Sequence, residues 1–187
     1  ISKELGIVHN SIESVKKTRN KFLLRTCLKN NNLPSPWFDR FAIKENPKKL
    51  IKKINFPCVL KPTFLSASQG VIRVDNKNDF MEGFNMLKEL LSRHEISRRN
   101  KEQSNWILIE EYIPGKEISI EGLVLNGKLK PLTLFDKPEP LEGPTFPETF
   151  FITPSKLPKP SKCAFPILVI TPKVGCAKSH KKSISPS

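Results

Sequence analysis

The sequence predicts an α+β fold whose strands pair mostly antiparallel. Apolar residues recur at helical spacing in three segments, and short apolar runs bounded by turn residues mark six strands. The predicted order is helix, strand, helix, strand, strand, helix, strand, strand, strand. This order lacks the steady strand–helix–strand alternation of a doubly wound parallel sheet. The dipeptide Asn126-Gly127 between two strand-like runs is also a strong signal for an antiparallel hairpin.

The first half of the chain contains two of the predicted helices. ENPKKLIKKI is expected to be helical, with Pro47 suited to its first turn. LPSPWFDRFAI opens with two prolines and alternates only roughly, which favours a short strand, and FPCVLKP and GVIRVDN are expected to pair as strands. NKFLLRTCLKNNN is predicted to be the other helix, because it places apolar residues near helical spacing and asparagines at its exit: Phe22, Leu24, Cys27 and Leu28, then Asn31 and Asn32.

The second half opens with the most regular helical pattern, NDFMEGFNMLKELL. Asn78 or Asp79 is the expected N-cap, and the polar stretch SRHEISRRNKEQSN after the helix is expected to be a long mobile loop. WILIEEY is then an apolar strand, and EISIEGLVL and KLKPLTLF flank the Asn-Gly turn. The apolar face of the helix is predicted from four residues, Phe80, Phe84, Leu87 and Leu91.

The composition indicates a soluble, cytoplasmic protein. No segment approaches the ~20 apolar residues that would span a bilayer, so no membrane partner is expected. The four cysteines have no metal-ligand or paired spacing, which favours free thiols in a reducing compartment, with Cys27 and Cys58 in the core. The net charge of +14 invites a nucleic-acid partner. Its distribution argues against one, because six lysines lie from Pro158 onward and the rest is spread over surface-like segments.

The stretch KPTFLSASQGV has two possible explanations, a phosphate-binding loop or a plain hairpin loop. Neither GxxxxGK[ST] nor GxGxxG occurs in the chain. The backbone N–H groups of a small-residue loop can nevertheless line a phosphate concavity beside an ammonium. Ser66, Ser68 and Gly70 supply the small residues, and Lys61 supplies the cation. Lys21, which opens the first predicted helix, gains nothing from the helix dipole there and is a second candidate cation.

The stretch EEYIPGKE also has two explanations. A strand ends in two carboxylates, turns through Pro-Gly and resumes at a third carboxylate. Strand-edge backbone groups can bind adenine, and a carboxylate can accept from a ribose diol. Alternatively, the stretch is a hairpin turn with solvated acids.

The stretches that contain these residues, in their order and spacing, resemble the ATP-grasp superfamily of carboxylate–amine ligases. NKFLLRTCLKNNNLPSPWF is similar to the entry motif "DK…R..L...G(I/V)P.P", and FPCVLKPTFLSASQGV to "(F/Y)P.V.KP..G.GS.GV". ILIEEYIPGKEISIEGLVLNGKL resembles "EE(Y/F)(I/L).G.E.S(V/I)(D/E)....(D/N)G". DKPEPLEGPTFPETFFITPSKLP resembles the "DK……F.E……PS.L" stretch of the carbamoyl-phosphate-synthetase-like and carnosine-synthase-like branches.

The resemblance implies an incomplete ATP-grasp fold, with a small nucleotide-covering subdomain and part of a larger antiparallel-sheet subdomain. It implies a ligase that activates a carboxylate as an acylphosphate before an amine attacks. Its partners would be ATP and small-molecule carboxylate and amine substrates. The loop from Thr63 to Gly70 would close over the phosphates. The resemblance implies an ATP site formed by Lys21, Lys61, Ser66, Ser68, Gly70, Glu110, Glu111, Tyr112, Ile113 and Glu117.

The chain departs from the family in two ways. Leu65 and Ala67 stand where the family commonly has glycine, which predicts weakened nucleotide binding, since a Cβ hinders left-handed backbone and close approach to a phosphate. Mg²⁺ is expected for the family, but its "(I/L)E.N.R" ligand strand has no counterpart after Leu157. We therefore expect no metal ligands and no complete catalytic site in this chain, and no catalytic residue is assigned.

The predicted organisation has three parts. Residues 1–18 would end a preceding domain, residues 19–157 would form the partial ATP-grasp domain, and residues 158–187 would be a disordered basic tail rich in proline and serine. The chain would then be a fragment of a longer protein. The alternative hypothesis is a basic, non-enzymatic module that binds nucleic acid, or a degenerate nucleotide-binding module.

Overall fold

The computed structural model describes residues 4–7, 9–125, 127–138, 143–146 and 150–156. Within them a four-stranded antiparallel sheet has the strand order β1-β4-β2-β3, and a separate two-stranded sheet pairs β5 with β6. The strands are β1 Phe38–Ala42, β2 Cys58–Pro62, β3 Ile72–Val74, β4 Trp106–Glu111, β5 Ile118–Leu125 and β6 Lys128–Asp136. The helices are α1 Ile12–Arg19, α2 Lys21–Asn30, α3 Pro47–Leu50, α4 Lys77–Ser92 and α5 His94–Ser97.

The register of the larger sheet separates its residues onto two faces. Val59 lies opposite Glu110, and Lys61 lies opposite Leu108, so these four side chains share one face. Leu60 lies opposite Ile109 on the other face. The sheet therefore presents charged and apolar residues together on the first face and an apolar surface on the second.

Helix α4 covers the apolar face and builds the core. Its four predicted core residues, Phe80, Phe84, Leu87 and Leu91, are all buried and cluster with residues of β2, β3 and β4. The predicted N-cap was wrong by two or three positions: the Asn76 side chain accepts hydrogen bonds from the backbone N–H groups of Asn78 and Asp79. Asn76 is the better cap because the side-chain oxygen of the residue before a helix reaches the second and third helical N–H groups.

Helix α2 packs on the charged face of the sheet. Asn20 caps it by accepting from the backbone N–H groups of Phe22 and Leu23. The ring of Phe22 meets that of Phe38 in β1 edge to face, with centroids 5.8 Å apart. The buried residue of this helix is an arginine, Arg25.

The structure corrects three other predictions from the sequence. The stretch after α4 contains helix α5 and a 3-10 turn at Gln103–Asn105, and Ile96 is buried there, so it is not one long loop. Helix α3 spans four residues, with Pro47 in its first turn as predicted, and a 3-10 turn follows it. Cys58 is buried as expected, but Cys27 is only half-buried. Helix α1 was not predicted, and none of its residues is buried.

The hairpin predicted around Asn126-Gly127 is present as β5 and β6, although Asn126 lies outside the described residues. Gly127 of that turn has a left-handed φ of 74°. Asp136 at the end of β6 exchanges both backbone hydrogen bonds with Ile152, at 2.9 and 3.0 Å. The predicted tail, residues 158–187, lies outside the described residues. Among the described residues, no helix has the length and apolar character needed to cross a membrane.

Replacing Phe84 with alanine tests the assignment of the core. Phe84 is fully buried between α4 and the sheet, so Phe84→Ala is expected to lower the free energy of unfolding by about 3–5 kcal/mol. Met86→Ala, on the same helix but 59% exposed, is the matched control and is expected to change it by less than about 1 kcal/mol. Urea denaturation followed by circular dichroism measures both values. Equal losses in the two variants would contradict this packing.

Candidate functional site

Three charged side chains meet on the charged face of the sheet, and we call them the Glu110 triad: Glu110 of β4, Arg25 of α2 and Lys61 of β2. The Arg25 guanidinium donates from Nε to Oε1 of Glu110 at 3.1 Å and from Nη2 to Oε2 at 3.0 Å. The Lys61 ammonium donates to the same Oε2 at 2.8 Å. One buried carboxylate therefore holds two cations from two different elements.

The charge state of Glu110 is set by these neighbours. Burial raises the pKa of the Glu110 carboxyl. The Lys61 ammonium and the Arg25 guanidinium lower this pKa by more than burial raises it, so that the result is about 2. The triad is therefore an ionised carboxylate with two cations at neutral pH, with a formal charge of +1. That excess positive charge lies beside the loop that follows Lys61.

Two lysines lie next to the Thr63–Gly70 loop. Lys61 belongs to β2, which runs directly into the loop. Lys21 opens α2 and contacts the start of the loop: its backbone N–H donates to the Thr63 carbonyl at 2.8 Å, and its Nζ donates to the Leu65 carbonyl. The structure therefore brings together two cations that are 40 positions apart in the sequence, as an anion site in this loop requires.

Lys21 has an altered protonation equilibrium. Burial, together with the nearby Lys61 ammonium, lowers the pKa of the Lys21 amine to about 8, against the attraction of Glu110. An anion bound in the loop would relieve both effects, because it would supply a counter-charge. The lowered pKa is thus consistent with a site that holds an anion when occupied.

The backbone of the loop explains the residues that depart from the family pattern. Ala67, Ser68 and Gly70 have left-handed φ values of 53°, 54° and 70°. A Cβ on Gly70 would lie 2.7 Å from Leu87 Cδ2 and 2.9 Å from Pro62 Cγ, so glycine is needed there on both counts. Ala67 carries the conformational strain that glycine would avoid. Leu65 is 3% exposed and packs in the core, so its side chain has a structural role.

The residues of EEYIPGKE contact different parts of the structure. Glu110 belongs to the triad, and the exposed Glu111 accepts from the Trp37 backbone N–H at 3.4 Å. The Tyr112 ring lies 4.1 Å from the Arg73 guanidinium, in cation–π geometry. Ile113 is half-buried. Glu117 pairs with Lys137 of the hairpin region at 2.7 Å.

Two groups in this region carried no assigned role in the sequence. Arg25 occupies the arginine position of the "DK…R" motif and is the more buried of the two cations in the triad. Asp136 accepts from the Ser155 hydroxyl and, at 2.8 Å, from the Lys156 backbone N–H. These bonds lower the pKa of the Asp136 carboxyl. The structure thus joins the two ends of the "DK…PS" stretch, and the motif itself was the signal that could have predicted the contact.

The described residues contain no preformed cluster of metal-ligating side chains. Mg²⁺ prefers several oxygen ligands in near-octahedral geometry, usually carboxylates and waters. No group of three or more His, Cys, Asp or Glu side chains that could hold a metal ion occurs within the described ranges. The Glu110 carboxylate already accepts from two cationic side chains.

Comparison with a family profile identifies the class of protein. The profile of the ATP-grasp domain matches residues 54–173, which is more than half of the 187-residue chain. The chain belongs to the ATP-grasp family. This result confirms both the family resemblance and the predicted class of fold, a partial α+β ATP-grasp domain.

Two of the curated relatives are ligases according to their names. Alanine–anticapsin ligase of Bacillus amyloliquefaciens is 27% identical over 172 residues, which cover 86% of this chain and 36% of that protein. D-alanine–D-alanine ligase of Pelagibacter ubique is 29% identical over 127 residues, which cover 66% and 34%. The chain thus spans about a third of the length of these relatives.

Solved structures agree with this assignment. L-amino acid ligase from Bacillus licheniformis is 27% identical, with a TM-score of 0.69, and the match covers 84% of this chain and 36% of that chain. D-alanine–D-alanine ligase from Bacillus anthracis complexed with ATP is 22% identical, with a TM-score of 0.53 and coverage of 80% and 45%. The second comparison shows a likeness of fold.

Glu110 should make stability depend on pH in the acid range. Its pKa in the folded protein, about 2, lies below the ordinary value of 4.5. Its stabilisation is therefore fully present above pH 4.5 and is lost as the pH falls toward about 2. We expect the free energy of unfolding, from urea denaturation at each pH, to fall over this window less steeply in Glu110→Gln than in the unsubstituted chain. Glu82→Gln, at an exposed carboxyl of α4, should keep the full slope; an unchanged slope in Glu110→Gln would contradict the argument.

Ala67→Gly should stabilise the protein by relieving the left-handed backbone. The gain expected is about 1 kcal/mol, because an L-residue loses about this much relative to glycine at such a φ. Ala42→Gly in β1, where no positive φ is present, is the matched control and should cost about 0.5–1 kcal/mol. Urea midpoints measure both. A loss in Ala67→Gly equal to that in Ala42→Gly would contradict the strain.

Proposed function

We propose that this chain is the ATP-binding part of an ATP-dependent carboxylate–amine ligase. The observation that carries the proposal is the convergence of Lys21 and Lys61 on the Thr63–Gly70 loop. A triphosphate carries several negative charges, and a loop flanked by two ammonium groups and rich in small residues is suited to bind it. Membership of the ATP-grasp family supports the same ligand.

The proposed site assigns a separate task to each segment. Lys21 and Lys61 contact the phosphates, and the hydroxyls of Ser66 and Ser68 and the backbone at Gly70 line the loop around them. The chain leaving β4, from Glu110 through Glu111 and Tyr112 to Ile113, lies beside the adenine. Glu117 accepts from the ribose hydroxyls, which requires it to exchange its contact with Lys137. Phosphoryl transfer in such a site depends mainly on positioning and charge neutralisation.

The substrates proposed for the full-length protein are amino acids or close analogues. This proposal is supported by the names of the relatives, alanine–anticapsin ligase and L-amino acid ligase. A substrate carboxylate oxygen attacks the γ-phosphorus, and the bond to the ADP oxygen breaks. The amine of the second substrate then attacks the acylphosphate carbon, phosphate leaves, and the amine releases a proton. Two substrates are joined by an amide bond, and ATP yields ADP and phosphate. Mg²⁺ is expected for the family, and no group of three or more metal-ligating side chains lies among the described residues.

A second candidate is a nucleotide-binding module with weakened affinity. It is favoured by Ala67 and Ser68, two non-glycine residues in left-handed backbone conformation within the phosphate loop. The two candidates differ in the strength of binding, and an affinity for ATP in the low micromolar range would contradict the weakened module.

Removal of either lysine should reduce ATP binding. Lys21→Met and Lys61→Met are each expected to weaken ATP affinity by about 10–100-fold, because a hydrogen bond between charged groups contributes about 1.5–3 kcal/mol. Lys88→Met, an exposed lysine of α4, is the matched control and should bind ATP as the unsubstituted chain does. Isothermal titration calorimetry measures the affinities, and thermal denaturation confirms that each variant is folded. Saturable ATP binding that is equal in all four proteins would contradict this site, and its absence from the unsubstituted chain would contradict the proposed function.

A further inference from the structure

The Glu110 triad contains one more cation than its carboxylate needs for neutrality. We propose that Arg25 is a positioning residue for Lys61: by holding Glu110 through two hydrogen bonds, it allows Lys61 to turn from Glu110 to a nucleotide phosphate without leaving a buried carboxylate unpaired. The inference rests on the proposed function, because it assumes that Lys61 contacts a phosphate.

The geometry distinguishes the two cations. Arg25 uses both carboxylate oxygens, with its Nε on Oε1 and its Nη2 on Oε2, and its side chain is 7% exposed. Lys61 uses only Oε2, and its side chain is 22% exposed. The planar fork of an arginine matches a carboxylate at two points, whereas an ammonium is a compact point charge on a flexible stem. Arg25 is therefore the fixed partner, and Lys61 is the partner that can leave.

The difference between Arg25 and Lys61 affects nucleotide binding through electrostatics. A buried carboxylate that loses its last cation is strongly destabilised, because the charge is left without solvent or a counter-ion. With Arg25 in place, the departure of Lys61 leaves a neutral, doubly hydrogen-bonded pair. Without Arg25, Lys61 is the one cation among the described residues that is still hydrogen-bonded to Glu110, and turning toward a phosphate would leave the buried carboxylate without that partner. Arg25 thus affects nucleotide affinity without touching the nucleotide.

A purely structural role for Arg25 makes the opposite prediction for Lys61. If Arg25 only fastened α2 to the sheet, its removal would loosen the region and expose the Lys61 amine. If Arg25 shares Glu110 with Lys61, its removal draws Lys61 more tightly to the carboxylate. The rate at which an acylating reagent modifies Lys61 therefore distinguishes the two roles, and it needs no nucleotide.

The experiment uses the 187-residue chain and four variants. Arg25→Met removes the guanidinium, and Arg25→Lys keeps a charge but loses the two-point contact. Arg25→Met/Glu110→Gln removes the carboxylate as well. Arg40→Met is the matched control, because Arg40 lies between the rings of Phe22 and Trp106, at 4.3 and 4.5 Å, and contributes to the same face of the sheet. ATP affinity comes from calorimetry, Lys61 acetylation from timed labelling with acetic anhydride and mass spectrometry, and folding from thermal denaturation.

The expected result has a defined pattern. Arg25→Met weakens ATP affinity by about tenfold or more and slows Lys61 acetylation, since Lys61 is then the only cation in the described part of the chain that is hydrogen-bonded to Glu110. The double variant recovers most of both quantities, because no buried carboxylate remains to hold the lysine. Arg25→Lys lies between the unsubstituted chain and Arg25→Met. Arg40→Met changes neither quantity.

Other results overturn the inference. Unchanged ATP affinity in Arg25→Met, or faster acetylation of Lys61, shows a structural role alone. Failure of the double variant to recover also contradicts it. If Arg25→Met does not fold, Arg25→Lys and Arg25→Lys/Glu110→Gln decide the same question. If the unsubstituted chain binds no ATP but Lys61 acetylation follows the expected pattern, the proposed function fails, and the sharing of Glu110 between Arg25 and Lys61 stands. If ATP binding is normal but acetylation does not follow the expected pattern, the proposed function stands and the role of Arg25 is contradicted.

Discussion

The buried carboxylate of Glu110 is the constraint on which the candidate site depends. Arg25 reaches it from α2 and Lys61 from β2, so one anion fixes the position of a helix and the direction of a lysine. Because an unpaired charge is costly in the interior, the Glu110 carboxylate must keep at least one of these cations as its partner. The placement of α2 matters in turn for Lys21 at its first position, whose contacts hold the Thr63–Gly70 loop. Both lysines of the site therefore depend on Glu110.

The alternation of side chains along β2 and β4 separates stability from function. Leu60 and Ile109 point to the face covered by α4 and are fully buried in the core. Their neighbours Lys61 and Glu110 point to the opposite face. A two-residue repeat thus places apolar packing and ionic chemistry on adjacent residues of the same strands. The core can stabilise the sheet without occupying the surface that carries the charges.

The sequence predicted those parts of the fold that follow from local pattern. The helical spacing of the four apolar residues of α4 predicts that they are buried. The apolar runs around Lys61 and Glu110 predict the strands there. Helix α1 was missed because it buries no residue and depends on the Ser11 cap and on exposed polar contacts. The role of Arg25 could not be read from pattern, because its partner lies 85 positions away and only the folded sheet joins them. The family motifs indicated candidate residues, but not which atoms those residues contact.

The Thr63–Gly70 loop has two halves with different constraints. The first half is fixed, because Thr63 and Leu65 are buried and their carbonyls accept from the backbone and side chain of Lys21. Gly70 closes the loop against Leu87 and Pro62, where a Cβ has no room. Between these anchors, Ser66, Ala67 and Gln69 are exposed, and the left-handed backbone is confined to this part and to Gly70. Any rearrangement around a phosphate is therefore limited to about four residues. Ala67, which stands where the family commonly has glycine, is one of them.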